Sequence, residues 1–188
     1  MIAKRFHALQ IPVVDADVIA REVVEPKEQA YDKIVETFGE GILQKDQTID
    51  RKALGAIVFQ HEEKRKQLNE IIHPAIRTEM IRQRDAYVQA GVSCIVLDIP
   101  LLFESKLTHF VDKVLVVFVD PDVQLKRVIA RDNCTVAEAK QRIQSQIPVS
   151  EKAAKADAVI DNNNSVASSY EQLDTILNNW QVIIPSSK

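Results

Sequence analysis

Ile11-Pro-Val-Val-Asp15-Ala-Asp17 is a short apolar run that ends in two carboxylates, and a helical pattern starts at once. In open α/β sheets ligands bind at the carboxyl ends of strands, so both acids are expected at a sheet rim. With one residue between them, an extended backbone sends their side chains in different directions. One can then face a ligand while the other caps the helix. The plainer reading is a helix cap and nothing more. Asp98 ends a second apolar run in the same way. Farther on, Arg127 and Arg131 lie four apart on one expected helix face. Two such cations repel slightly unless an anion sits between them, and Asp132 or another surface acid is the ordinary partner. Arg142 has Glu138 four residues before it, which an ordinary helix pair explains.

The elements that must position these groups follow from the rest of the chain. It has 188 residues, 46% of them apolar, enough for an α/β domain with an insertion and a real core. The net charge of −3 argues against a general nucleic-acid binder. Cys94 and Cys134 form no C-x-x-C, and the four histidines show no H-E-x-x-H, so no metal site is read here. No apolar stretch approaches membrane-spanning length and no signal peptide is visible, so a cytoplasmic protein with no membrane partner is expected. The oligomeric state is left open.

Strands are expected at 11–14, 93–98, 114–119 and 158–160, the third as a continuous apolar run covered on both faces. Helical patterns fill 1–9, 16–24 and, between residues 27 and 90, a series of segments stopped by Gly39, by His73-Pro74 and by Gly91. Asp50 is expected to cap one of them. Asp120-Pro121 opens a helix with a cap and an N1 proline. Thr135 and Glu138 form a capping box. A last helix covers 166–180, and the final eight residues read as a fraying tail. Strands alternating with helices, with acids at strand ends, give a parallel α/β sheet. Periodicity and spacing stop at a ligand site along those ends.

Five stretches together resemble the dephospho-coenzyme A kinase family of the P-loop kinase class. They are V-V-D-A-D-V-I-A-R-E-V-V-E-P (13–26), N-E-I-I-H-P (69–74), D-I-P-L-L-F-E (98–104), L-K-R-V-I-A-R-D (125–132) and the stretch 142–163 from R-I-Q-S-Q to V-I-D-N-N, in the family's order and spacing. The resemblance implies transfer of the ATP γ-phosphate to the ribose 3′-hydroxyl of dephospho-coenzyme A, with ATP and Mg²⁺ required. It also implies a three-layer P-loop kinase-like parallel sheet with a helical insertion and a helical lid. The nucleotide-binding core would be 1–26, 91–130 and 156–188, the acceptor-binding insertion 27–90, and the lid 131–155.

Carried over residue by residue, the resemblance makes Asp17 the base that takes the hydroxyl proton and Arg127 a catalytic phosphate contact. Asp15, Arg21, His73 and Glu104 would bind the acceptor, although Asp15 is equally explained as a cap, Arg21 as a solvated arginine and His73 as part of a helix-breaking turn. Arg131, Arg142 and Asn162 would contact ATP. The family usually has glycine where this chain has Asn164, a residue that also tolerates the left-handed conformation.

One departure is large. A P-loop kinase carries G-x-x-x-x-G-K-[ST] between its first strand and first helix. This sequence has no such motif, and only four glycines. Aligned on Asp17, Met1 falls about where that loop would close. The expected missing piece is the first strand with its loop, about sixteen residues. Two readings compete on this point: a kinase polypeptide with a late start or trimmed end, or a loop-less, non-catalytic relative that binds dephospho-coenzyme A or a protein partner. An adenylate-kinase-like nucleotide kinase is disfavoured by the D-A-D and H-P motifs.

Overall fold

The computed structural model describes residues 1–183, so the last five residues of the expected tail lie outside the described residues. The chain divides into two compact units: Pro12–Ile99, and Met1–Ile11 with Pro100–Lys188. We call them the central and the flanking unit, for their place in the sequence. Residues 12–26 and 91–99 therefore pack with the expected insertion rather than apart from it.

In the central unit β1 (Val13–Asp15) pairs parallel with β2 (Val96–Asp98). Both strands are shorter than the apolar runs suggest. Pro12 has no N–H for the ladder and contributes only its carbonyl, which accepts from Val96 N–H at 2.9 Å. Four helices follow β1: α2 (Ala16–Glu22), α3 (Gln29–Phe38), α4 (Arg51–Gln60) and α5 (Glu62–Gln89). Asp50 caps α4 through bonds from Lys52 N–H and Ala53 N–H. Gly39 and Gly91 follow α3 and α5 with φ of 81° and 76°, the left-handed region where glycine costs nothing. Val14, Ile19, Ile34, Ile42 and Met80 form the buried centre, and α5 packs against β1, α2, α3 and α4. Between 27 and 90 the only strand-like feature among the described residues is a Leu43–Ile49 bridge.

One expectation fails here. His73-Pro74 does not break the helix, because α5 runs unbroken through Pro74. Proline removes the bond to the Glu70 carbonyl. Glu70 and Pro74 are both solvent-exposed, so water can serve that carbonyl. Ile71, Ile72, Ala75 and Ile76 meanwhile pack against the core on both sides of the proline. Tertiary burial outweighs local propensity.

In the flanking unit β3 (Leu115–Phe118) pairs parallel with β4 (Ala158–Asp161). Its helices are α1 (Ile2–Ala8), α6 (Pro121–Asp132), α7 (Val136–Gln144), α8 (Val149–Ala154) and α9 (Val166–Asn179). The helix α8 was not legible in the sequence. Arg5 pairs with Asp174 and lies over the Tyr170 ring, tying α1 to α9. Leu173 and Leu177 of α9 are buried, as its apolar stripe predicts. The apolar run of β3 is not covered on both faces. Val117 and its neighbour Val159 remain 37% and 39% exposed, although α8 packs on β3 and α9 on β4. Apolar continuity reports what a strand can bury, not what its neighbours do bury. Asp120 occupies the N-cap position of α6 but its carboxylate makes no capping bond. Asn164 does not take a positive φ either.

Candidate functional site

In the central unit Asp15, Asp17 and Asp98 lie together at the carboxyl end of the strand pair. The parallel register sets Asp15 opposite Asp98. Asp15 is the N-cap of α2, its Oδ1 accepting from Asp17 N–H at 2.8 Å and Val18 N–H at 3.1 Å. The choice left open in the sequence is thus resolved: of the two acids, Asp15 caps. Asp17, two residues on, is exposed, and its carboxylate has no hydrogen-bond partner among the described residues. Asp98 titrates above the usual carboxylate range, first from loss of hydration and then from the negative charges of Asp15 and Asp17. The sequence marked Asp98 only as a strand end. Its role in charging this rim comes from pairing register, which spacing does not reveal.

Arg21 stands exposed in the last turn of α2. His73 is exposed on α5 beside Pro74. Between α2, α3 and α5 opens a cavity of about 890 Å³ lined by Glu22, Lys33, Gln67, Glu70, Pro74 and Arg82, among others. Its volume lies within the range of small-molecule pockets. Pro74 reaches it and His73 does not line it.

In the flanking unit Arg131 and Arg142 are organised by one carboxylate. Arg131 donates to Asp132 at 2.7 Å, and Arg142 donates to the same carboxylate from α7. These bonds, from Arg131 first and Arg142 second, hold Asp132 down at about 2. The ordinary acid partner foreseen for this cluster is therefore present. The foreseen partner of Arg142 is not. Glu138 turns back to accept from Thr135 N–H at 2.8 Å, completing the capping box. Arg127 is exposed and makes no hydrogen bond or ion pair among the described residues.

Glu104 is occupied differently. Its Oε1 accepts from Lys152 Nζ at 2.7 Å and from Ile147 N–H at 3.0 Å, while Oε2 is buried with no partner. Loss of hydration is the largest single influence and pushes its carboxyl up, but the Lys152 bond, the backbone N–H bonds and the Lys152 charge together outweigh it, and the group titrates below its ordinary range. No motif or spacing singles out Lys152 in the sequence. Asn162 follows β4, with its Oδ1 accepting from Ser169 Oγ at 3.2 Å. Asn163 Oδ1 accepts from Asp120 N–H at 2.9 Å, which joins the turns after β3 and β4. No group of three or more His, Cys, Asp or Glu side chains is arranged to hold a metal among the described residues. No helix among them is long and apolar enough to cross a membrane.

A family model described as CoaE, dephospho-CoA kinase, matches residues 1–168. The chain belongs to the dephospho-CoA kinase family. A dephospho-CoA kinase of Bacillus cereus (strain ATCC 10987 / NRS 248) is 53% identical over 182 residues, 97% of this chain and 91% of that protein. One from Oceanobacillus iheyensis is 56% identical over 171 residues, 91% of this chain and 86% of that protein. Among solved structures, the dephospho-CoA kinase from Campylobacter jejuni is 32% identical with a TM-score of 0.72, covering 95% of this chain and 89% of that one. TT1252 from Thermus thermophilus superposes with a TM-score of 0.78 at 26% identity, over 95% of this chain and 89% of that one. The dephospho-CoA kinase family consists of phosphotransferases, and this chain has their α/β fold of parallel strands flanked by helices.

Proposed function

We propose that the chain transfers the γ-phosphoryl group of Mg·ATP to the ribose 3′-hydroxyl of dephospho-coenzyme A. The observation that carries this reading is the division of labour between Asp15, the last residue of β1, and Asp17 just beyond it. Asp15 is consumed as a helix cap, and Asp17 keeps an unengaged carboxylate at the strand end. In the step we infer, Asp17 accepts the hydroxyl proton as the 3′-oxygen bonds to the γ-phosphorus. The bond from that phosphorus to the bridging oxygen breaks, and ADP leaves. Phosphoryl transfer depends chiefly on positioning and on neutralising charge.

Arg127 suits the neutralising role, since its guanidinium is not committed to any protein acid. Arg131 and Arg142 are assigned to the nucleotide phosphates, with Asp132 holding them together until then. Asn162 is assigned to the adenine side. Residues 1–188 contain no G-K-[ST] loop, so the phosphate contacts assignable within them are arginine contacts. Mg²⁺ binds through phosphates more readily than in all-protein cages, so it is taken to arrive on ATP as part of that substrate. Arg21, His73, Glu104 and Asp15 are assigned to the acceptor, Asp15 through its hold on the start of α2. The insertion 27–90 would bind the acceptor and 131–155 would close on ATP. We place the reaction in the cytoplasm, where thiols such as Cys94 and Cys134 stay reduced.

The test is ATP-dependent phosphorylation of dephospho-coenzyme A by the wild type and by Asp17→Asn. Loss of a general base should lower kcat by about 10²–10⁴-fold. The dissociation constant of the acceptor should hardly change. Near-normal turnover in the Asn variant would return Asp17 to the helix surface as an ordinary first-turn acid.

A further inference from the structure

We infer that Lys152 is a positioning residue, which clasps the end of the 131–155 segment to the turns at 100–107 through Glu104. This deepens the proposed function, because it rests on 131–155 being the segment that closes on ATP.

Lys152 lies on α8, and its side chain is only 12% exposed. Burying a lysine is costly unless its charge is met. Here it is met twice, by Glu104 Oε1 at 2.7 Å and by the Pro100 carbonyl at 3.2 Å. Glu104 Oε1 also takes Ile147 N–H, from the turn between α7 and α8. A single carboxylate oxygen therefore binds both the turn before α8 and a side chain from α8 itself. The base it stands on is firm. Leu107 is buried, and its N–H closes back to the Leu102 carbonyl at 2.9 Å, while Ser105 N–H bonds to Leu101.

The clasp is incompletely made. Glu104 Oε2 is buried and has no partner. An ion pair with an unmet acceptor recovers less of its desolvation cost than a fully bonded one. Such a joint can hold a segment in register without locking it. Nothing else in the 145–155 stretch reaches back to 100–107 through a hydrogen bond among the described residues. Once released, α8 keeps its packing on β3. The residues before it, which lead back to Arg142 and Arg131, lose their fixed end.

The experiment is amide hydrogen exchange with steady-state kinetics on Lys152→Met, Lys152→Arg and Glu104→Gln. Local opening should become about tenfold more frequent over 145–155 in Lys152→Met, with β3, β4 and α9 unchanged. The KM for ATP should rise about three- to tenfold while kcat holds, the pattern of lost binding rather than lost chemistry. Lys152→Arg should restore both. Glu104→Gln keeps an acceptor for Ile147 N–H but loses the charge, so it should reproduce the exchange change and serves if Lys152→Met does not fold. Unchanged exchange over 145–155 would overturn the clasp. So would faster exchange in every segment alike, which is general destabilisation. Local loosening with an unaltered KM would overturn the positioning role. A wild type that phosphorylates no dephospho-coenzyme A would defeat the functional proposal, and the exchange pattern would then decide the clasp by itself.

Discussion

Arg142 on α7 donates to Asp132 at the end of α6, ten residues earlier in the chain, and Arg131 donates to the same carboxylate. This one acid closes the corner between the two helices and keeps two cations side by side. Its pKa of about 2 lies below the unfolded value of about 3.9. The folded state therefore binds fewer protons than the unfolded state as the pH falls between those values. The stabilisation is full above the unfolded pKa and is lost as pH falls toward the folded one. Thermal melts of wild type and Asp132→Asn should differ by a constant amount above about pH 5 and converge near pH 2. A gap independent of pH would mean that the carboxylate stabilises through something other than its charge.

Substitutions at Asp15 separate capping from contact. Asp15→Asn keeps a good cap and Asp15→Ala removes it, at about 1 kcal/mol. Urea unfolding should therefore register the Ala variant and hardly the Asn variant. If the cap is what Asp15 contributes, the Asn variant retains most activity as well. Strong loss of turnover in a normally stable Asn variant would reveal a direct acceptor contact.

At Arg127 the question is geometry against charge. Lysine keeps the charge but lacks the planar fork that fits phosphate oxygens. Arg127→Lys should be impaired in kcat and Arg127→Ala more so, with equal stability, since the side chain is exposed and unpaired among the described residues. Full activity of the Ala variant would remove Arg127 from the mechanism.

Pro74 sits inside α5 without breaking it. Replacing it by alanine restores an N–H to the Glu70 carbonyl, and proline is up to about 3 kcal/mol worse than alanine in a helix interior. Pro74→Ala should raise the unfolding midpoint, by an amount worth about 1–3 kcal/mol. An unchanged or lower midpoint would show that the ring's contacts with the neighbouring cavity outweigh the missing bond.

What the sequence reveals and what it hides divide by range. Gly39, Gly91, the Asp50 cap and the Thr135–Glu138 box were all legible, because each depends on residues within a turn of one another. The acids at the end of β1 were legible as one cap and one free carboxylate, but not which was which, since either could have turned toward the helix. The Asp132–Arg142 and Glu104–Lys152 pairs were hidden, because no spacing rule joins residues on different elements. The helix break at Pro74 was misread for the opposite reason. The local signal was real, and the burial of four neighbours overrode it.

The unbroken run of α5 has a mechanical side. Its 28 residues make a rod about 42 Å long at the standard rise per residue. Met80, its buried residue, lies in the C-terminal third and serves as the natural fulcrum. From there the N-terminal arm to Glu62 spans about 27 Å at the same rise. A tilt of about 5° would carry that end through roughly 2.4 Å, nearly the length of a hydrogen bond. A helix broken at Pro74 would absorb such a tilt at the joint, whereas the continuous one transmits it as leverage from one end of the unit to the other.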